Sequence, residues 1–273
     1  MVQAKPRTGP TITWPPLPDD FQLIDDPVEN IHQPPLAAAL TDALGAAQRI
    51  RPDMLIGSNF GLVAGVDDET VVKAPDWFYV PQVNPIPETM VRRSYTPRLE
   101  GDPVAVVMEF LSADDNGELS IRSITPYGKL YFYEQILQVP TYVIYAPRRA
   151  RLEVRHLQNG RYELQLPDAA GRFWIEPLGL FLGVWYGERL AQPLNWLRWW
   201  DADGNLLLWS SEQAEAEHQR AEAERQRAET ERQRAETERQ RAETEHQRAE
   251  TERQRADRLA ELLRDQGIDP DQV

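Results

Sequence analysis

Glu109 stands inside an otherwise apolar run, Pro103-Val-Ala-Val-Val-Met-Glu-Phe-Leu-Ser112, and Asp76 precedes it by thirty-three residues in Ala74-Pro-Asp-Trp-Phe-Tyr-Val80. The run around Glu109 reads as a strand buried on both faces. There an ionised carboxylate costs on the order of several kcal/mol unless a cation or hydrogen-bond donors compensate it. A bound metal ion would do so. Hydrolysis of a phosphodiester needs two or three oxygen ligands on Mg²⁺ or Mn²⁺, with positions left open for a phosphate oxygen and a water. Asp76 and Glu109 suit that role. A nearby lysine would stabilise the charge of the transition state and orient the water, and Lys129 is the best candidate.

Each residue has a plainer alternative. Asp76, after a proline, is also the kind of residue that opens a turn, and Lys129 is also an ordinary solvated helix position. Glu109 could instead be held in a buried ion pair with Arg93 or Arg122.

The elements that must position these groups follow from local pattern. Strands over about 75–80 and 103–111 are joined by a loop of some twenty residues. Consecutive strands are expected to pair antiparallel, which brings Asp76, early in the first, beside Glu109, late in the second. Pro34 and Pro35 open a helix that runs to about Arg49, with Leu36, Ala39, Leu40, Ala43, Leu44 and Ala47 on one face. Pro126 to Gln138 carries the helical stripe Leu130, Tyr133, Ile136 and Leu137, and Pro140 stops it.

Met54 to Ala64 is strand material broken by glycines. Thr141–Tyr145 is a strand, and short strands are expected over Arg151–His156, Arg161–Gln165 and Leu178–Trp185. Trp196–Trp200 and Leu206–Trp209 flank Asp201-Ala-Asp-Gly-Asn205, a hairpin signal. Eight of the first thirty-five residues are proline, so the N-terminal segment is expected to be an extended arm rather than a packed element.

From Ala214 to Arg255 the chain repeats every seven residues for six copies, beginning Ala214-Glu-Ala-Glu-His-Gln-Arg220. Helix-forming residues without proline or glycine predict one long helix, about 60 Å over the repeat. Alanine supplies one apolar position per heptad and the second is charged or polar, so any coiled-coil seam is weak. Opposite charges at i+3 and i+4, such as Glu222 to Arg225 and Arg227 to Glu231, support a solvated helix. Pairing with a partner helix or a second copy stays open. Leu259, Leu262 and Leu263 form the one apolar patch.

The net charge of −14 divides as −8 over residues 1–211 and −6 over 212–273. An acidic body argues against a tight nonspecific grip on nucleic acid. A local basic patch such as Arg92, Arg93 and Arg98, or Arg148, Arg149 and Arg151, can still act beneath that total. The absence of cysteine excludes disulfides and thiolate zinc sites. Histidines 32, 156, 218 and 246 have no zinc-ligand spacing, and neither a nucleophile elbow nor a glycine-rich phosphate loop is recognisable. Without an apolar leader or a membrane-spanning run, a soluble cytoplasmic protein with no membrane partner is expected.

Five segments occur together in a distinctive order: Glu29-Asn-Ile-His32, Ala74-Pro-Asp-Trp-Phe-Tyr-Val80, Val106-Val-Met-Glu-Phe-Leu-Ser112, Lys129-Leu-Tyr-Phe-Tyr133 and Val139-Pro-Thr-Tyr-Val-Ile-Tyr-Ala-Pro147. In this order and spacing the chain resembles the Uma-type family of bacterial proteins described as restriction endonucleases, within the PD-(D/E)XK nuclease superfamily. The likeness spans about residues 20–210. Leu178-Gly-Leu-Phe-Leu-Gly-Val-Trp185 and the Glu/Arg/Gln tail share it.

The resemblance implies Asp76 and Glu109 as ligands of Mg²⁺ (or Mn²⁺), Lys129 as the catalytic lysine, and Glu29 as an acidic position that helps hold the metal. The sequence departs from the superfamily at Leu111, where a lysine normally shares the strand face of the second carboxylate, so Lys129 stands as a relocated equivalent.

The implied fold is α/β: a restriction-endonuclease-like mixed sheet core flanked by the 34–49 and 127–138 helices, with an antiparallel β extension and a long C-terminal helix. The expected organisation is an extended arm over 1–20, the nuclease-like domain over 21–210, the heptad helix over 211–266 and a short tail over 267–273. The implied function is metal-dependent hydrolysis of DNA. The rival is an inactive nuclease-fold module that binds protein or nucleic acid and assembles through its helix.

Overall fold

The computed structural model describes residues 10–18, 20–21, 31–111 and 126–265. Glu29, Arg122 and the 267–273 tail lie outside the described residues. In chain order the elements are β1 (Ile12–Thr13), α1 (Gln33–Ala46), β2 (Leu55–Gly57), β3 (Leu62–Val66), β4 (Glu69–Lys73), β5 (Trp77–Val80) and β6 (Val106–Phe110). There follow α2 (Lys129–Tyr131), which continues as a π-helical turn over Phe132–Ile136, then β7 (Thr141–Ala146), β8 (Arg151–Gln158) and β9 (Arg161–Leu164). The chain closes with β10 (Phe173–Ile175), β11 (Leu180–Arg189), β12 (Gln192–Trp200) and α3 (Ser210–Asp265).

A six-stranded sheet of order β2-β5-β6-β7-β8-β9 forms the centre. Its pairs are antiparallel except β6 with β7, which run parallel because the 129–136 helix carries the chain back across the sheet. Side-chain alternation sends Trp77, Tyr79, Val106, Met108, Phe110, Val143 and Tyr145 to one face. That face is covered by Leu36, Leu40 and Leu44 of α1 and by the antiparallel sheet β10-β11-β12. The indole N–H groups of Trp209 and Trp199 donate to the α1 carbonyls of Ala39 and Leu40, both at 3.1 Å, which satisfies buried donors while fixing the helix. Phe78, Val80, Val107, Tyr142 and Ile144 face the other way, against Leu130, Phe132, Tyr133 and Ile136 and the small sheet β1-β3-β4.

Several elements differ from expectation. The proline-rich segment is packed over its described part: Ile12 and Thr13 pair with Val66 and Gly65, and Trp14 lies against the second core. An edge strand tolerates nearby prolines because only one side needs backbone donors. Leu206–Trp209 is no strand. The turn at 201–205 does form, closed by the Asp201 carboxylate on the backbone N–H groups of Asp203 and Asn205, and it returns the chain for one antiparallel bridge, Trp200 to Leu206, with the Leu207 N–H on the Trp199 carbonyl at 2.9 Å. The long hairpin is instead β11 with β12, whose turn residues Leu190 and Ala191 both sit at left-handed φ, +54° and +57°. The second helix is shorter than the 126–138 stripe, and its π turn is closed by the Leu137 N–H on the Phe132 carbonyl at 2.9 Å.

Contacts divide the chain into Met1–Ser211 and Glu212–Val273. Within the second unit, Thr230, Thr237, Thr244 and Thr251 each donate to the carbonyl four residues earlier at 2.8 Å. Glu222 with Arg225 and Arg227 with Glu231 carry opposite charges along the helix without closing to ion-pair distance. Long exposed side chains gain too little in water to be held together. Among the described residues no helix is long and apolar enough to cross a membrane.

Candidate active site

The β5–β6 register pairs Trp77 with Met108, so the next residues outward, Asp76 and Glu109, stand opposite one another on the face that carries Phe78 and Val107. Glu109 is fully buried and Asp76 nearly so, at 0% and 8% exposure. The sheet is buried on both faces here, as the unbroken apolar run around Glu109 implies.

Asp76 does not simply open a turn. Strand β5 begins only at Trp77, which leaves Phe110 on β6 without a strand partner on that side. The Asp76 carboxylate replaces it, with Oδ2 accepting from the Phe110 N–H at 2.6 Å. Gln33, at the start of α1, supplies the matching donor: its Nε2 reaches the Phe110 carbonyl at 2.7 Å. Ser58 Oγ donates to the Asp76 carbonyl at 2.7 Å, pinning the backbone at the head of β5.

Glu109 is held from the opposite layer. Lys129 Nζ donates to Oε2 at 2.9 Å and the Tyr133 hydroxyl donates to Oε1 at 2.8 Å. These two residues are one helical turn apart, so they lie on a single face of the short helix. The cation paired with Glu109 among the described residues is Lys129; Arg93 donates to the Phe21 carbonyl, and Arg122 lies outside the described residues.

Burial pushes the Glu109 carboxyl up to about 7. The Lys129 charge and the bonds from Lys129 and Tyr133 oppose the shift, and the neighbouring Asp76 charge adds to it. The Tyr133 phenol lies well above its ordinary value, through burial and the adjacent Glu109, and therefore stays a donor.

Lys129 has 30% of its side chain exposed. It is thus the member of the group that reaches toward solvent. Leu111, on the same strand face as Glu109, packs with the apolar cluster that includes Val107 and Tyr142. Glu29 lies outside the described residues, and among the described residues no three Asp, Glu, His or Cys side chains gather in a way that could hold a metal.

Asp76, Glu109 and Lys129 therefore come together, while Tyr133, Gln33 and Ser58 were not foreseen as their partners. The Lys129-to-Tyr133 spacing of four was a usable signal, hidden because Tyr133 also belongs to the apolar stripe of its helix.

A mixed central sheet with a parallel β6–β7 pair, flanking helices, antiparallel sheets and a long C-terminal helix makes this a restriction-endonuclease-like α/β protein. Residues 20–192 match the family model described as "Uma2: Putative restriction endonuclease", and the chain belongs to that family. No curated protein and no solved structure matches the chain.

Proposed function

We propose that the protein is an endonuclease that hydrolyses DNA phosphodiester bonds with Mg²⁺ or Mn²⁺, through Asp76, Glu109 and Lys129. The observation that carries this reading is the meeting of two buried carboxylates, opposite one another across β5 and β6, with the ammonium of the partly exposed Lys129 at 2.9 Å from one of them. The donor set fits a hard divalent cation. Two carboxylates are enough when water and substrate phosphate complete the shell, and burial, with the neighbouring Asp76 charge adding to it, holds the Glu109 carboxyl high despite Lys129, which supports a place for a further cation beside the pair. Asp76 and Glu109 would hold the ion, with Glu29 as a further acidic group.

When bound, the metal neutralises phosphate charge and makes the attacking water more acidic. The side chains do the rest. The Phe110 N–H and the Tyr133 hydroxyl orient one carboxylate each, so that their oxygens are fixed before substrate arrives. Lys129 stabilises the charge that builds on the phosphoryl oxygens as water adds to phosphorus and the bond to the leaving sugar oxygen breaks. The products are a phosphomonoester and an alcohol.

The body over 21–210 would carry this chemistry in the cytoplasm. The 211–266 helix would serve assembly, with a second copy or a partner helix. The purified protein is expected to nick or cleave DNA in Mg²⁺ or Mn²⁺ and to lose this in chelator.

A second reading has its own support. Leu111 occupies the strand position where the superfamily carries lysine, and both Glu109 oxygens are already engaged. An idle fold that binds nucleic acid or protein without cutting would show DNA or partner binding with no metal-dependent cleavage.

A further inference from the structure

The turn between β7 and β8 carries three arginines in four positions, Arg148, Arg149 and Arg151, on a body whose net charge is −8. All three are exposed. Arg148 and Arg149 have no ion-pair or hydrogen-bond partner among the described residues. Pro147 and the left-handed Ala150, at φ +49°, shape the turn, and the Pro147 carbonyl accepts from Asn195 Nδ2 at 3.0 Å, so the arginines project from an anchored backbone.

Sheet register fixes where this turn lies. Strands β6 and β7 are parallel, and Glu109 pairs with Ile144, which in turn pairs with Glu153 on β8. The arginine turn begins just past Ala146, at the same end of the sheet as Asp76 and Glu109. Leu152 and Val154 point into the core on the α1 side, so Arg151 and Glu153 point to the face that carries Glu109. Two strands away at about 4.8 Å each, and one pleat further out, Arg151 stands roughly 12 Å from Glu109, a span that a nucleic-acid backbone crosses in a few nucleotides.

Arg151 is bonded to Glu153 at 3.0 Å but is 68% exposed, and Arg155, far less exposed, holds the same Glu153 carboxylate from its other side. An exposed pair of this kind is worth little, so Arg151 can leave for a phosphate while Arg155 keeps Glu153 neutralised.

We infer that Arg148, Arg149 and Arg151 form a landing for the phosphate backbone of the DNA substrate, on the sheet end that carries the acidic pair. The inference rests on the nuclease reading for the identity of the polyanion. It also resolves the charge problem posed by an acidic body, because binding needs only a local basic surface in line with the site.

The test is binding of a fluorescently labelled DNA duplex to the full chain, by anisotropy across a series of KCl concentrations, with Ca²⁺ replacing Mg²⁺ to limit cutting. Each phosphate contact contributes about 0.9 to the slope of log affinity against log salt. R148A/R149A should make the slope shallower by about two and weaken binding roughly a hundredfold at 0.1 M salt, and adding R151A should remove about one more unit. R148K/R149K should keep the slope, because charge is what the landing supplies. Circular dichroism melts report whether each variant is folded, and if the alanine pair does not fold, R148E/R149E is measured in its place.

An unchanged slope in the folded variants overturns the landing, and so does arginine-dependent binding to phosphatidylserine vesicles without binding to DNA. Wild-type cleavage with an unchanged slope leaves the nuclease reading standing and removes the landing alone. A slope that responds to the substitutions, with no cleavage in Mg²⁺ or Mn²⁺, keeps the landing and removes the hydrolytic reading.

Discussion

Lys129 reaches Glu109 across two layers of the fold: its ammonium lies 2.9 Å from Oε2 of a carboxylate on β6, although the lysine itself opens the helix that follows. The cation is therefore supplied by the crossover connection and not by the strand. Tyr133 grips the other oxygen from the same helix, so one short helical segment sets the orientation of Glu109. Four measurements follow from this geometry.

Glu109→Gln should reduce metal-dependent DNA cleavage to the level seen in chelator while the fold survives. The amide is nearly isosteric and can still accept a bond from Lys129 or Tyr133, but it is a far poorer ligand for a hard cation. Cleavage assays beside thermal melts separate the two effects. Equal cleavage by wild type and variant would remove Glu109 from the mechanism.

The same substitution should change how stability depends on pH. The folded Glu109 carboxyl is raised from 4.5 to about 7, so between these values the folded chain retains a proton that the unfolded chain has released. Stability from this group is fully present below about pH 4.5 and is lost as pH rises through 7, by about 3 kcal/mol at most. Glu109→Gln lacks the titration. Its urea midpoint should therefore gain on wild type between pH 5 and pH 8.5, and a difference that stays constant with pH would contradict the buried carboxyl.

Metal affinity should follow the same proton. Mn²⁺ competes with H⁺ for the carboxylate, so affinity measured calorimetrically should rise about tenfold per pH unit as pH approaches 7 and level off above it. A pH-independent affinity over that range would argue for binding elsewhere.

Lys129→Met should slow cleavage strongly and leave metal affinity much less affected, because its charge acts on the transition state. It also strips a buried carboxylate of its cation, at a cost of about 1–3 kcal/mol near pH 8 given the partial exposure of the lysine. Mg²⁺ should recover more of the melting temperature in this variant than in wild type. Unchanged turnover would count against the role given to Lys129.

The tail should be separable. Its repeat has no broad apolar stripe, and a chain ending at Ser211 should melt close to the full-length value while losing helical signal. The isolated 212–265 peptide should be helical, with a weak response to salt, since its Glu/Arg pairs are not closed. Sedimentation should show at most weak association that depends on Leu259, Leu262 and Leu263. A tight oligomer insensitive to alanine at these leucines would make the Ala/Arg seam a true coiled coil.

Much of the molecule was legible in the residues. The apolar run around Glu109 reads as a strand buried on both faces, and two consecutive strands joined by a moderate loop are expected to pair antiparallel, as β5 and β6 do. That rule alone set Asp76 beside Glu109. The helix opened by Pro34 and Pro35, the strand at Thr141 and the long heptad helix likewise follow from local period and propensity, which act within a few residues along the chain.

What the tertiary structure decided depends on groups far apart in sequence. Tyr133 reads as a core tyrosine until the crossover lays it on Glu109. Gln33 has no legible role until α1 sets it beside the unpaired Phe110 carbonyl, seventy-seven residues away. The β11–β12 hairpin turns on Leu190 and Ala191, which carry none of the usual signals for left-handed backbone and are held there by the long ladder on either side. Local pattern encodes which face of an element is apolar. The partner that a buried polar group finds is set by how the layers close, because the cost of leaving a donor, acceptor or charge unpaired is felt only when water has been removed from around it.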